Sequence, residues 1–193
     1  MQGETLKEKI ARVVKEHVSV VEYDPRWPEL FENEKERLLD LFPEIIRRVE
    51  HFGSTAVPGL PAKPIVDLLV EVGSLDDAKE KIAPVLESLG YDYFWRPSWG
   101  DDVPPYYAWF IKRDSEGKRT HHIHMVEAGF EHWERLLFRD YLRAFPELAK
   151  EYADLKLALS EKYSDDRIAY TKAKTDFILR TTSAAKEYYG KTQ

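Results

Sequence analysis

Gly53, Ser54 and Thr55 follow a β-branched and aromatic segment, with Lys63 and Asp67 shortly after them. A glycine at a strand end lets backbone N–H groups approach a phosphate closely, and a serine hydroxyl adds a donor. Lys63 can add a point charge for the same anion. Asp67 falls early in residues 65–72, a run with strong strand character, and a carboxylate there can hold Mg²⁺ between protein and phosphates. On a strand Asp67, Leu69 and Glu71 share one face, and Val66, Leu68, Val70 and Val72 take the other. Asp67 and Glu71 then stand about 13 Å apart, too far to chelate one ion. The plainer alternative is a tight turn followed by a polar strand end.

A second cluster is Thr120-His121-His122-Ile123-His124, which holds three of the six histidines in the chain. His122 and His124 share a strand face, and His121 points with Ile123 and Met125. Two imidazoles with a carboxylate such as Asp67 can bind a transition metal. One of them can instead serve as general base or phosphate donor. A third group lies in the C-terminal third. Tyr170 and Lys174 are one helical turn apart, and Arg139 precedes them on another helix. Arg139 and Lys174 suit a phosphate clamp, and Tyr170 suits stacking on a base. A surface ion pair and a half-buried tyrosine are the alternatives. Tyr23 and Trp27 fit core packing better than a stacking platform.

The elements that must position these residues follow from periodicity. Residues 4–16 read as an amphipathic helix, with Leu6, Ile10, Val13 and Val14 on one face. Residues 18–22 read as a short strand, and Asp24 as the cap of a helix that runs to Phe42 before Pro43. Strands are expected over 45–52, 65–72, 91–96, 106–112 and 118–126, the last two joined by the turn Asp114-Ser115-Glu116-Gly117. Asp76 or Asp77 should cap a helix ending at Leu89-Gly90. Residues 130–189 are helical, with breaks at Pro146 and at Ser164-Asp165-Asp166. This order predicts an α+β fold with one mixed sheet, a helical partner layer and a helical C-terminal third. The expected division is an N-terminal helical extension over 1–17 and a single domain over 18–187.

Composition narrows the function classes. The 193 residues carry a formal net charge of −6, which argues against nucleic acid and against anionic membranes as partners. A nucleotide or another phosphorylated small molecule stays open, because a few local cations suffice for it. The absence of cysteine excludes disulfides, thiolate nucleophiles and cysteine-based metal sites. No apolar run is long enough to span a membrane, and the first residues lack the apolar stretch of a secretion signal, so a cytoplasmic location is expected.

These segments together resemble the GrpB family. The matching stretches are Val21-Glu22-Tyr23-Asp24-Pro25-Arg26-Trp27-Pro28 and His51-Phe52-Gly53-Ser54-Thr55-Ala56-Val57-Pro58-Gly59-Leu60. Further matches are Ala62-Lys63-Pro64-Ile65-Val66-Asp67, His121-His122-Ile123-His124-Met125-Val126, Phe138-Arg139-Asp140-Tyr141-Leu142 and Tyr170-Thr171-Lys172-Ala173-Lys174. The resemblance covers residues 18–180. It implies a sheet of the polymerase-β-type nucleotidyltransferase superfamily, in which Gly-Ser precedes an acidic strand. It also implies a metal-dependent transfer of a nucleotidyl group from a nucleoside triphosphate to a small acceptor, with Mg²⁺ or Mn²⁺ as cofactor. On that basis Asp67 and His124 are the expected catalytic residues, and Asp67, His122 and His124 the expected metal ligands. Gly53, Ser54, Thr55, Lys63, Arg139, Tyr170 and Lys174 would hold phosphates or base. The chain departs from the superfamily pattern at Leu69, where a second carboxylate is usual. That departure leaves two alternatives: a nucleotide-binding module without turnover, or a metal-dependent hydrolase. Family members also occur fused to dephospho-coenzyme A kinase, which associates them with nucleotide or coenzyme A chemistry.

Overall fold

The computed structural model describes residues 6–14, 16–98 and 103–190. Five strands form one mixed sheet in the order β1-β2-β5-β4-β3. They are β1 (Ile46–Phe52), β2 (Val66–Val72), β3 (Asp92–Pro97), β4 (Tyr106–Arg113) and β5 (Arg119–Val126). Only β2 and β5 run parallel, and the other neighbours are antiparallel. The central pair places Asp67 beside His122 and Leu69 beside His124. Because side chains alternate along each strand, the sheet has two different faces.

One face is mainly apolar, with His51, Lys112 and His121 as its polar members. Val66, Leu68, Val70, Ala108, Phe110, Ile123 and Met125 are fully or almost fully buried there. Helix α2 (Trp27–Leu41) covers it with Trp27, Phe31 and Leu38. Beside α2 lie α3 (Leu75–Asp77), a π-helical turn (Ala78–Ile82) and α4 (Ala83–Ser88), which add Ala78, Ile82 and Leu86. Trp27 is 2% exposed and meets Tyr23 edge-on at 5.2 Å, so both serve the core.

The opposite face is the more polar one. Its apolar part joins Phe52, Leu69, Phe94, Tyr107, Trp109, Ile111 and Val126 to Val13 of α1 (Leu6–Val14) and Leu136 of α5 (Arg135–Ala144). Helices α6 (Pro146–Lys162), α7 (Arg167–Ala173) and α8 (Thr175–Tyr188) complete the C-terminal layer. Tyr152, Ala153 and Phe177 of that layer pack with Leu142 on Val57 and Leu60 of the loop between β1 and β2. Three cations staple this loop through its carbonyls. Arg139 donates to His51 O at 2.7 Å, Arg143 to Ala56 O at 2.6 Å, and Lys156 to Pro61 O.

Several local expectations are corrected. Residues 18–22 form no strand; Val21 makes one isolated antiparallel bridge with Ala62, because β1 and β5 already flank β2 and the sheet edge lies elsewhere. Asp24 does not cap α2. Its carboxylate accepts the Arg26 N–H at 2.9 Å in a local turn, and the helix starts later with Pro28 in its first turn. Ser74, rather than Asp76 or Asp77, caps α3 by accepting the Asp76 N–H. The N-terminal helix is described over Leu6–Val14; residues 4, 5 and 15 of the expected span lie outside the described residues.

Candidate functional site

The polar face converges on Asp67. Gly53 ends β1 with φ 72° and ψ −171°, a conformation that disfavours any side chain, and Ser54–Ala56 follow as a 3₁₀ turn. A Cβ at Gly53 would stand 2.4 Å from Asp67 Oδ2, so the glycine backbone lies directly against the carboxylate. The turn is tied from both sides. Thr55 is buried, with its hydroxyl 3.0 Å from His51 Nε2 on the apolar side, and Tyr152 hydrogen-bonds to Ser54.

Parallel pairing of β2 with β5 brings His122 to Asp67, with Nδ1 3.1 Å from Oδ1. Arg119 Nη1 stands 3.3 Å from His122 Nε2. A guanidinium can only donate, so Nε2 accepts, Nδ1 carries the proton, and His122 is neutral. Burial holds the His122 pKa down at about 4. Burial alone would raise Asp67, but the His122 hydrogen bond and the charge of Lys63 bring it below its ordinary value, so it is an anion at neutral pH. His124 lies one step along β5, stacked on Tyr107 at 5.5 Å and edge-on to Phe52 at 5.1 Å. Its Nδ1 is buried without a partner. Ligand atoms of Asp67, His122 and His124 all lie within 4.8 Å of one another. An ion with bonds of about 2.1 Å needs donors roughly 3–4 Å apart, so seating one takes a small closure together with release of the His122 Nδ1 proton or of its Arg119 contact.

Cations surround this single carboxylate. Lys63, Lys174, Arg135 and Arg167 interact electrostatically with Asp67, and Arg119 with His122. Among the described residues Arg119 has an ion-pair partner, Glu16, but the other four reach no carboxylate within 4.0 Å. Burial, as the largest cause, lowers the pKa of each: Lys174 to about 8, Arg119 to about 10, and Lys63, Arg135 and Arg167 in the same direction. Arg167 Nη2 is buried and unpartnered. Desolvated cations facing one another are costly unless an anion joins them.

The residues expected from sequence divide clearly. Gly53, Ser54, Lys63, Asp67, His122, His124 and Lys174 gather in this pocket. Thr55 is beside it but directs its hydroxyl away, to His51. Tyr170 is present as a spacer, not a stacking platform: it is 1% exposed, with Lys63 at 5.6 Å and Lys174 at 4.4 Å from its ring. Arg139 does not join the group. Its guanidinium is spent on Glu50 at 3.0 Å, Asp140 at 2.7 Å and the His51 carbonyl. Glu50, the register partner of Leu69, is held by Arg48 and Arg139, so it supplies no second free carboxylate. Leu69 itself is fully buried. Sequence reasoning missed Arg119, Arg135 and Arg167. Arg167, Tyr170 and Lys174 follow i, i+3, i+7 spacing, which was a usable signal; Arg119 and Arg135 offered none.

A five-stranded mixed sheet with a Gly-Ser turn against an aspartate strand, ringed by histidines and cations, defines the class. The GrpB protein profile matches residues 17–184, and the chain belongs to the GrpB family. It is 41% identical over 176 residues to UPF0157 protein YqkA of Bacillus subtilis, which covers 90% of this chain and 49% of that protein. The chain thus spans about half the length of that relative. The crystal structure of conserved protein GrpB from Enterococcus faecalis superposes with a TM-score of 0.76 at 34% identity, covering 89% of this chain and 99% of the other. A dephospho-CoA kinase of Mycobacterium tuberculosis is 29% identical over 188 residues, 88% of this chain and 46% of that protein. Among the described residues no helix is long and apolar enough to cross a membrane.

Proposed function

We propose that this chain binds a nucleotide or another phosphorylated small molecule over Asp67. One observation carries the reading: four half-buried cations, Lys63, Lys174, Arg135 and Arg167, gather around Asp67 with no carboxylate at ion-pair distance from any of them among the described residues. A polyphosphate supplies the missing negative charge. Lys63 and Lys174 meet it as point charges spaced by the Tyr170 ring, and Arg135 and Arg167 as forked donors. The likeness to a dephospho-CoA kinase supports a nucleotide-type ligand.

A second reading is nucleotidyl transfer, supported by the convergence of Asp67, His122 and His124. These three residues would hold a divalent ion. Their two-nitrogen, one-oxygen donor set suits Mn²⁺ or Zn²⁺ better than Mg²⁺, which prefers oxygen throughout. A bound ion would supply charge neutralisation at the phosphates and lower the pKa of an attacking hydroxyl. In the transfer, the acceptor oxygen forms a bond to the α-phosphorus, the α–β anhydride bond breaks, and pyrophosphate leaves. The acceptor proton would pass to His124 where Asp67 and His122 hold the ion without it, through the Nδ1 that has no protein partner, and otherwise to solvent.

The test is calorimetric titration of the four nucleoside triphosphates, with and without Mn²⁺, Zn²⁺ or Mg²⁺. Binding is expected without metal, and Arg167→Gln or Lys174→Gln should weaken it about 10- to 100-fold, the worth of a charged hydrogen bond. Absence of binding by every triphosphate overturns the proposal. Metal-dependent release of pyrophosphate with an acceptor, lost in Asp67→Asn, would establish the transfer reading.

A further inference from the structure

Beyond the Asp67 pocket, the same sheet face continues across β4 and β3. Trp109 is the register partner of His124, and Tyr107 that of Arg96. All four side chains therefore rise from one surface. The Arg96 guanidinium lies 4.8 Å above the Trp109 ring and 5.7 Å from the Tyr107 ring. From the helical layer, Arg135 reaches in beside them. It donates to His132 Nε2 at 2.9 Å, and the His132 ring lies 4.6 Å from Tyr107.

Arg96, Arg135 and the Trp109 indole of this patch can only donate. Trp109 Nε1 is buried and has no hydrogen-bond partner, as is His124 Nδ1 on the adjoining strand, the two rings being 6.1 Å apart. Among the described residues neither Arg96 nor Arg135 has a carboxylate at ion-pair distance. Stacking on two rings accounts for the pose of Arg96. It does not account for an indole N–H left without an acceptor, which is rare in a folded protein. A bound oxyanion would supply that acceptor.

We propose that Arg96, Arg135 and the Trp109 indole N–H form a second oxyanion subsite, which takes the carboxylate or phosphate of a second substrate. This rests on the reading of the Asp67 pocket as the first, nucleotide-type site. The two adjoin without coinciding: Trp109 touches His122 edge-on at 5.1 Å, and His122 is the residue bonded to Asp67. Arg135 borders both. A ligand held at Trp109 therefore lies next to phosphates held over Asp67. Forked guanidinium donors with one fixed indole donor select an oxyanion over a neutral group.

The test uses the ¹⁵N-labelled full chain. Its five tryptophans give five indole N–H signals, and Trp109→Phe assigns the one in question. Inorganic phosphate and malonate are titrated separately, in the presence of saturating ATP, to distinguish phosphate from carboxylate. The Trp109 signal is expected to shift saturably with one of them. Arg96→Gln, a change at an exposed side chain that does not threaten the fold, should weaken that response about tenfold and leave ATP affinity within about twofold. An indole signal unmoved by either anion overturns the subsite. So does an equal response in Arg96→Gln, or a signal that ATP alone shifts fully and then protects from both anions, since one ligand would then span the patch. Loss of ATP binding alone, with the indole response intact, would instead refute the Asp67 reading, and the role as second-substrate subsite would fall with it.

Discussion

Gly53→Ala tests the construction of the pocket with a single methyl group. Gly53 combines φ 72° with ψ −171°, a region nearly reserved for glycine, and forcing alanine into it costs about 1–3 kcal/mol. The new Cβ would also stand 2.4 Å from Asp67 Oδ2 and 3.1 Å from Cγ. Asp67 cannot hold its place at that separation, and its 3.1 Å contact with His122 Nδ1 goes with it. A hydrogen bond to a charged group contributes about 1.5–3 kcal/mol. Together these give a loss of about 2.5–6 kcal/mol in unfolding free energy, measured by urea denaturation followed through tryptophan fluorescence. Gly59 provides the control. It has φ 75° but nothing within 4 Å of its added Cβ, so Gly59→Ala should lose only about 1 kcal/mol of backbone strain. Adding Asp67→Ala to Gly53→Ala removes the clash, so the double variant should be more stable than additivity predicts by more than about 1 kcal/mol. A Gly53→Ala loss no larger than that of Gly59→Ala, or full additivity in the cycle, would refute close contact between the turn and Asp67.

Three further outcomes follow from the same geometry. Arg139→Gln should lower stability by about 1–3 kcal/mol, because it abandons Glu50 and the His51 carbonyl, yet leave triphosphate affinity within about twofold; calorimetry of both quantities checks it, and a selective loss of binding would return Arg139 to the site. Lys156 is 2% exposed, and burial lowers its pKa from 10.5 to about 7. The folded state therefore binds fewer protons than the unfolded state between those values, so stability should rise by about 2–4 kcal/mol from pH 7 to pH 10 relative to Lys156→Met, and an indistinguishable pH dependence would sink the assignment. Glu16→Gln removes the carboxylate paired with Arg119 and Arg113. It should cost about 1–3 kcal/mol and tighten triphosphate binding several-fold by leaving Arg119 uncompensated, which the same titration reads.

Legibility in the sequence followed the range of the forces involved. The central strands announced themselves because 65–72 and 118–126 carry apolar residues in a two-residue period, and period alone put His122 and His124 on one face. That Asp67 faces His122 depends on parallel pairing in one register, which only the closed sheet fixes. Sequence spacing points to Arg139 and gives no sign of Arg135, although they stand one turn apart on α5. Their roles differ by reach along β1: Arg139 meets Glu50 in the middle of the strand, while Arg135 extends over Phe52 at its end, beside Asp67. Tyr170 and Lys174 were legible as a pair, but the arrival of Lys63 on the other side of the ring was not, since it comes from a loop over a hundred residues earlier. Asp24 and Asp76 failed as caps for local reasons: the Asp24 carboxylate is taken by the Arg26 N–H and guanidinium before the helix starts, and Ser74 is the acceptor that caps α3.

The apolar residue Leu69 bears on what the proposed site would do without a metal. In a site with two or three carboxylates, a polyphosphate is repelled until cations intervene, and binding waits on the ion. Here position 69 is apolar and buried, and the neighbouring ligand position on β5 is a histidine that burial keeps neutral. Lys63, Lys174, Arg119, Arg135 and Arg167 therefore outweigh Asp67 and Glu16 within a chain whose overall charge is −6. At an effective dielectric near 20, one unit charge removed about 5 Å from a phosphate is worth roughly 3 kcal/mol before solvent screening. With leucine at 69 and a neutral histidine at 124, the proposed phosphate ligand would be held by protein cations alone. Metal affinity is weakened by the same cations, so occupancy of the triad should depend on the phosphate ligand being present to offset them.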